Sequence, residues 1–260
     1  MTVNNIARNQ MSESMMRVAS GQRINSAADD AAGLAIMEEM TSQVRGLDQG
    51  TRNTQDMQAL ARTAEGGLDT IGDSLQRIRE LSVQAANDTN SPASRQMIQQ
   101  EINQLADHIQ TTVGNAQFNN INLLDGSVQD FNTASGPDGT GMTVNINDMS
   151  SLASAIAEFN VTGSFNINDI DAALNEVNSE RANLGAMQNR MDYTVNANNL
   201  MSLNMADARS RVGDADIARE MMAVQQERVI NEMQVILQQQ QQQRAEEEGQ
   251  RVISPGGANM

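Results

Sequence analysis

The chain has 260 residues, with 17 basic and 33 acidic side chains and a formal net charge of −16. Every basic residue is Arg, there is no Cys, and there is a single His. Lysine Schiff-base chemistry, pyridoxal-phosphate catalysis, a P-loop and disulfides are therefore excluded, and a structural zinc site lacks the ligands it draws on. The acidic balance weighs against nucleic acid, whose binding is driven by basic groups releasing counterions.

The five aromatic residues, Phe118, Phe131, Phe159, Phe165 and Tyr193, all lie in one middle stretch. The flanking sequence must fold without them, which suits thin helix-on-helix seams of Leu, Ile, Met and Ala better than a thick globular core. The 18 Met can fill irregular gaps and serve adaptable interfaces.

In chain order, residues 1–25 form an N-terminal arm that lacks the basic start and apolar run of a secretory signal. No segment approaches the roughly 20 apolar residues of a membrane helix, so no membrane partner is expected. If the protein leaves its cell, it uses another route.

Residues 26–117 read as two long bundle helices. From Met57 the apolar or small positions run Ala61, Ala64, Leu68, Ile71, Leu75, Ile78, Ser82, Ala85 in steps of four and three, a heptad seam. An earlier set, Met37, Met40, Val44 and Leu47, shares the pattern after a phase slip near Thr54. A helix from after Ser26 to about Ala86 would measure roughly 90 Å. Gly66, Gly67 and Gly72 inside it suggest close helix approach or bending. Asn87 to Asn90 break the pattern, and Ser91-Pro92 supplies an N-cap with Pro at the first helical position. The next seam is Ile98, Ile102, Leu105, Ile109, Thr112, Ala116, and a short turn makes the two helices antiparallel.

Residues 118–167 read as a small head. Asp125-Gly126 and Pro137-Asp138-Gly139 are turn signals, and Met142, Val144, Ile146 alternate as in a β-hairpin, with a short helix near Ser151 to Phe159. Between Arg95 and Arg181 there is no basic residue, so this surface is anionic. A returning helix over 168–212 starts at Asn168-Asp169 and carries Ile170, Leu174, Val177, Leu184, Met191 and Val195. Gly213-Asp214 offers a hinge into a C-terminal helical arm, 213–248, with a stripe of Met222, Val229, Met233 and Ile236. The Gln run, Glu triplet and Ser254-Pro255-Gly256-Gly257 place a disordered tail at 249–260. The fold class is mainly α: an elongated antiparallel long-helix bundle with a small β-hairpin head and terminal helical arms.

Catalysis finds little support. Asp29 and Asp30 form a possible carboxylate pair, but beside Asn25 and Ser26 they fit a helix start, where negative charge meets the positive end of the dipole. His108 lies next to the seam position Ile109 and reads as a half-exposed structural residue. Asn166, Asn168, Asp169 and Asp171 resemble a loose calcium loop without its central Gly and terminal Glu, so capping is the simpler reading. HExxH and GxSxG motifs are absent. No enzyme activity, catalytic residue, cofactor or metal is expected.

The segment SGQRINSAADDAAGLAI, Ser20 to Ile36, resembles the signature of bacterial flagellins. The likeness continues through VRGLDQGTRNTQD (Val44 to Asp56), TAEGGLDTI (Thr63 to Ile71), LQRIRELSVQAANDTN (Leu75 to Asn90) and QFNNINLLDG (Gln117 to Gly126). Near the C-terminus it returns in LGAMQNRMDYTVNANNL (Leu184 to Leu200) and DADIAREMM (Asp214 to Met222). Relative to the family pattern the N-terminal arm is shortened and the C-terminal tail atypical.

The resemblance implies a structural subunit that self-assembles into the helical flagellar filament for swimming motility, secreted and extracellular. It implies as partners further copies of the chain, the flagellar export apparatus with a flagellin chaperone, hook-associated and cap proteins and, in an animal host, a Toll-like receptor. Arg77, Leu81 and Glu101 match the family's receptor-recognition positions. Identical copies burying unlike patches propagate an open helix, and the arms order on addition at the tip. A hook-filament junction protein or another coiled-coil interaction protein is the alternative.

Overall fold

The computed structural model describes the backbone of residues 2–253 and the side chains of residues 9–247. Its helices are α1 (Thr2–Ser20), α2 (Ala31–Ala85), α3 (Pro92–Asn115), α4 (Ser150–Ala157), α5 (Ile167–Gly213) and α6 (Ile217–Ile253). Between α3 and α4 run four short strands, β1 (Gln117–Phe118), β2 (Ile121–Asn122), β3 (Asp130–Ala134) and β4 (Gly141–Asn145). The fold is mainly α, a helical bundle with a small β head. It divides into two compact units: one of residues 42–204, the other drawn from the two ends of the chain, through Thr41 and from Met205 onward.

In the 42–204 unit every expected seam residue of α2 from Met57 to Ala85 is buried. Burying each Leu or Ile side chain contributes roughly 1.5–3 kcal/mol. Two polar seam residues are satisfied within their own helix: the Thr54 and Ser82 hydroxyls donate to the carbonyls of Gly50 and Ile78, both at 2.7 Å. On α3 the buried row is Ile98, Ile102, Ala106, Ile109 and Val113, with Leu105 half-buried beside it. On α5, Ile170, Ala173, Val177, Leu184 and Met191 are buried and Leu174 packs at the edge. Ser91 caps α3 as the sequence predicts, accepting from the Ser94 amide.

Polar pairs fix the direction of the helices. Between α2 and α5, Arg79 meets Asp171, Asp69 meets Arg181, Glu65 meets Gln188, Gln58 meets Asp192 and Asp48 meets Ser202, at 2.6–2.9 Å. The numbers fall on one helix as they rise on the other, so the two run antiparallel. Exposed pairs contribute only about 0.2–1 kcal/mol each, so they specify register while the seam supplies stability.

One seam position is acidic. Glu180, 2 % exposed, sits between Val177 and Leu184 and accepts from the Asn147 backbone N–H at 3.2 Å and from its Nδ2 at 2.7 Å. A buried carboxylate persists only with such donors. It ties the strand that leaves the hairpin to α5.

The head contains two hairpins where the sequence suggests one. β1 and β2 pair through Asn119 and Asn120, with φ of 50° and 63°, the left-handed pair that a two-residue I′ turn requires. β3 and β4 pair antiparallel with Phe131 opposite Val144, and both side chains are buried. The tip of this second hairpin is seated on α2 at two glycines one turn apart. A Cβ on Gly50 would lie 2.2 Å from the Ser135 carbonyl oxygen, and one on Gly46 2.7 Å from the Pro137 Cα. Asn53 of α2 and Asn198 of α5 then donate to the carbonyls of Ala134 and Ser135 at 2.9 and 2.8 Å. Of the glycines singled out from sequence, Gly67 does permit close approach, to Leu124 of the head at 3.0 Å. Gly66 faces open space, and Gly72 makes an ordinary contact with Val177.

Beyond α4, Gln99 holds the connecting loop like a short strand, donating to the Phe159 carbonyl and accepting from the Val161 amide. Phe159 and Phe165 stack edge to face at 5.9 Å. The cap of α5 is Asn166, whose side chain accepts from the Asn168 amide; the expected Asn168-Asp169 cap lies inside the first turn, after the true cap.

In the unit formed by the chain ends, α1 packs along α6. An antiparallel bridge joins the loop at Gln22 to Asp214, through Arg23 N–H to the Gly213 carbonyl and Ala215 N–H to the Gly21 carbonyl. The Arg23 guanidinium adds a bond to the Val212 carbonyl at the end of α5. Here α2 begins at Ala31, later than expected after Ser26. Asp30 is its cap, accepting from the Gly33 amide at 2.9 Å. Asp29 closes the preceding loop by accepting from the Asn25 and Ser26 amides. Of the tail expected at 249–260, α6 extends through Ile253 and residues 254–260 lie outside the described residues.

Candidate functional site

The carboxylates that suggested chemistry are engaged structurally. Asp29 titrates below the usual carboxylate range because the Asn25 and Ser26 backbone amides, and then the Ser26 hydroxyl, donate to its charged form. Asp171 is committed to Arg79. His108 is exposed on α3 beside Thr112, at a shallow depression lined by Thr63, Gly67 and Thr111. Among the described residues no group of three or more His, Asp or Glu is placed to hold a metal ion, and no helix is long and apolar enough to cross a membrane.

The three residues matched to receptor recognition are not equivalent. Arg77 on α2 is half-exposed and bonds Glu101 of α3 at 2.8 Å and Glu80 at 3.0 Å; these carboxylates, Glu101 foremost, raise its pKa. Leu81 is 2 % exposed. Packed against both α3 and α5, α2 buries a stripe wider than one seam, and Ser74 and Leu81 are buried alongside the seam residues Ile78 and Ala85. The i, i+4 relation to Arg77 therefore carries Leu81 over the rim into the core.

Among the described residues, exposed large apolar side chains are concentrated on α6. Ile217, Met221, Met222, Val229, Ile230, Met233, Ile236 and Leu237 are all exposed, with Met222 at 66 % and Met233 at 60 %. Met222, Val229, Met233 and Ile236, which the sequence puts on one helical stripe, are left uncovered among the described residues. The α1–α6 contact is largely polar instead. Arg17 pairs with Glu220, Met11 meets Asn231, and Ser14 is buried. The Glu227 Oε2 and Gln234 Oε1 atoms of α6 are buried with no partner among the described residues. A second uncovered row, Tyr193, Leu200 and Leu203, runs along the 42–204 part of α5. Contiguous apolar surface of this kind marks a contact with another molecule.

Residues 1–129 match the model of the bacterial flagellin N-terminal helical region, and residues 167–247 that of the C-terminal helical region. The chain belongs to the bacterial flagellin family. This flagellin is 40% identical over 232 residues to a flagellin of Halalkalibacterium halodurans, covering 86% of this chain and 85% of that one. It is 35% identical to the Bacillus subtilis flagellin, covering 89% and 90%. It is also 36% identical to the flagellar filament 33 kDa core protein of Treponema phagedenis, covering 84% of each. The crystal structure of Bacillus cereus flagellin superposes with a TM-score of 0.51 at 33% identity, covering 56% of this chain and 88% of that one. The two matched regions hold α1, α2, α3 and β1–β2 on one side and α5 with most of α6 on the other. Residues 130–166, which lie between them, carry the second hairpin and α4. This flagellin is a structural subunit of the bacterial flagellar filament.

Sequence reasoning missed the hairpin seat. Gly46, Gly50 and Asn53 stand in the VRGLDQGTRNTQD block, and Asn198 in the LGAMQNRMDYTVNANNL block. The signal available was a GxxxG step followed by Asn on a helix face, which reads as a close approach only once its partner is known.

Proposed function

We propose that the subunit joins the filament by covering the outward apolar face of α6 with the arms of neighbouring copies, while the Tyr193–Leu200–Leu203 row of α5 meets a neighbouring bundle. The observation that carries this is the uncovered face of α6: Met222, Val229, Met233 and Ile236 are exposed, while Glu220 and Asn231, with half-buried Val224 between them, face α1. A seam with many polar groups, including two buried oxygens unpartnered among the described residues, stabilises the α1–α6 pair weakly, since each unpaired buried group costs about 1–3 kcal/mol. The arms therefore gain their full order only when neighbours cover the apolar face. Unlike patches meeting on successive copies give heterologous contacts and an open helical polymer.

Family membership supports the remainder of the reading. The chain is exported through the flagellar secretion channel with a chaperone shielding α6, and is added beneath a cap protein on a filament that hook-associated proteins join to the hook. Its role is mechanical, with no catalytic step. The exposed Arg77–Glu101 pair is the part of the receptor-recognition set that a Toll-like receptor could reach on the monomer; Leu81 acts there by supporting the helix surface.

The test is seeded growth of the purified chain followed by electron microscopy. Long helical filaments support the proposal, and discrete particles of fixed size would instead indicate a junction protein or a closed coiled-coil oligomer.

A further inference from the structure

Sulfur in this protein is carried by methionine alone, since there is no Cys and there are 18 Met. Among the described residues the methionines range from buried to exposed, and Met11, Met40, Met142, Met187 and Met205 are half-buried. Met37, Met57, Met149 and Met191 are buried. Among the described residues seven are exposed: Met15, Met16, Met97, Met201, Met221, Met222 and Met233. Five of those seven lie on α1 and α6; on α6, Met222 and Met233 share one row with Val229 and Ile236, and exposed Met221 flanks it.

We propose that Met221, Met222 and Met233 form an oxidation-sensitive site that gates assembly: a peroxide converts their thioethers to sulfoxides in the free subunit and so blocks its addition to the filament. The inference rests on the assembly reading above. In the step, the thioether sulfur attacks one oxygen of hydrogen peroxide, the O–O bond breaks, an S–O bond forms, and the displaced hydroxide takes the proton of the sulfur-bound hydroxyl, leaving the sulfoxide and one water. The sulfur is oxidised by two electrons and the peroxide is reduced by two. A flexible apolar group becomes a polar one. In solution this costs the exposed residue little, so the free subunit keeps its fold. Within an interface the new S=O must be desolvated without a matching donor. Each covered sulfoxide then raises the concentration needed for growth by about tenfold, equivalent to about 1.4 kcal/mol. In the polymer the same sulfurs are covered and protected, so sensitivity belongs to the unassembled subunit, and reduction of the sulfoxides restores it.

The experiment uses the full chain and a triple variant, Met221→Leu, Met222→Leu, Met233→Leu, which keeps apolar volume without sulfur. Monomers are treated with dilute hydrogen peroxide, oxidised positions are read by peptide mass spectrometry, folding is monitored by circular dichroism, and growth is measured on seeds. Each protein is compared with its own untreated sample: the expected result is that the treated parent keeps its helix content but needs at least tenfold more subunit than the untreated parent, and that the treated variant grows as its own untreated form does. Sulfoxide reductase returns growth to the parent, and pre-formed filaments show much slower oxidation at the three positions. Growth of the parent unchanged despite sulfoxides at all three positions overturns the proposal, as does equal loss in the variant. If neither untreated protein extends seeds, the assembly reading itself fails and this inference falls with it.

Discussion

Gly50→Ala and Gly66→Ala are the same substitution on the same helix, yet the structure gives them opposite consequences. Both replace glycine by the best helix former, a gain of about 0.8–1 kcal/mol. At Gly66 a Cβ meets nothing within 4 Å, so that gain stands alone. At Gly50 the Cβ meets the Ser135 carbonyl oxygen at 2.2 Å and its carbon at 2.7 Å, both backbone atoms that cannot swing aside. Either the hairpin tip is compressed, at about 1–3 kcal/mol, or it lifts off. Lifting gives up the Asn53 and Asn198 bonds at 2.9 and 2.8 Å, which together contribute about 1–3 kcal/mol. The helix-forming gain is common to both variants and cancels in their difference. Gly50→Ala should therefore be less stable than Gly66→Ala by about 1–3 kcal/mol, read as a shift in the urea midpoint of the monomer at unchanged slope. Equal midpoints would mean that the hairpin tip is not seated on α2.

Further outcomes follow from other elements. Ile71→Ala, in the centre of the seam, should cost about 2–5 kcal/mol in the same denaturation assay, and a loss below 1 kcal/mol would contradict close packing there. Glu180→Ala leaves the Asn147 N–H groups without their acceptor and should cost about 1–3 kcal/mol; in amide exchange the lost protection should concentrate at Asn147. Asp29 is held below its ordinary value of 3.8, so its contribution is present above the unfolded pKa and is lost as pH falls through the lower folded one. In an NMR titration the Asn25 and Ser26 amide signals should move together with a midpoint below 3.8; a midpoint at or above that value would show that the carboxylate does not receive them.

The helices of the 42–204 unit were legible because their chemistry is local and periodic. The unbroken four-three run from Met57 to Ala85 can hide only one face, and Ser91-Pro92 states a helix start in two residues. The position of Asn166 as the cap was less legible, because Asn166, Asn168 and Asp169 are all competent caps and the loop held by Gln99 decides among them. The β1–β2 hairpin escaped because its strands have two residues each and its turn is Asn-Asn, without the glycine that announces most I′ turns. Glu180 could not be read as core from its own identity; its burial depends on Asn147, more than thirty residues earlier. Leu81 shows the limit of face arguments. Spacing placed it beside Arg77, but whether that face is wet depends on how many helices pack on α2. The α6 stripe has the same character: periodicity finds it, and only the fold shows that α1 covers the other side.

The central claim, that α6 turns its apolar face outward to be covered by other copies, is tested most directly by a cryo-electron microscopy reconstruction of filaments grown from this chain. The account predicts that Val229, Ile230, Met233 and Ile236 lie in contact with helices of neighbouring subunits. Filaments in which those four side chains face water would contradict it.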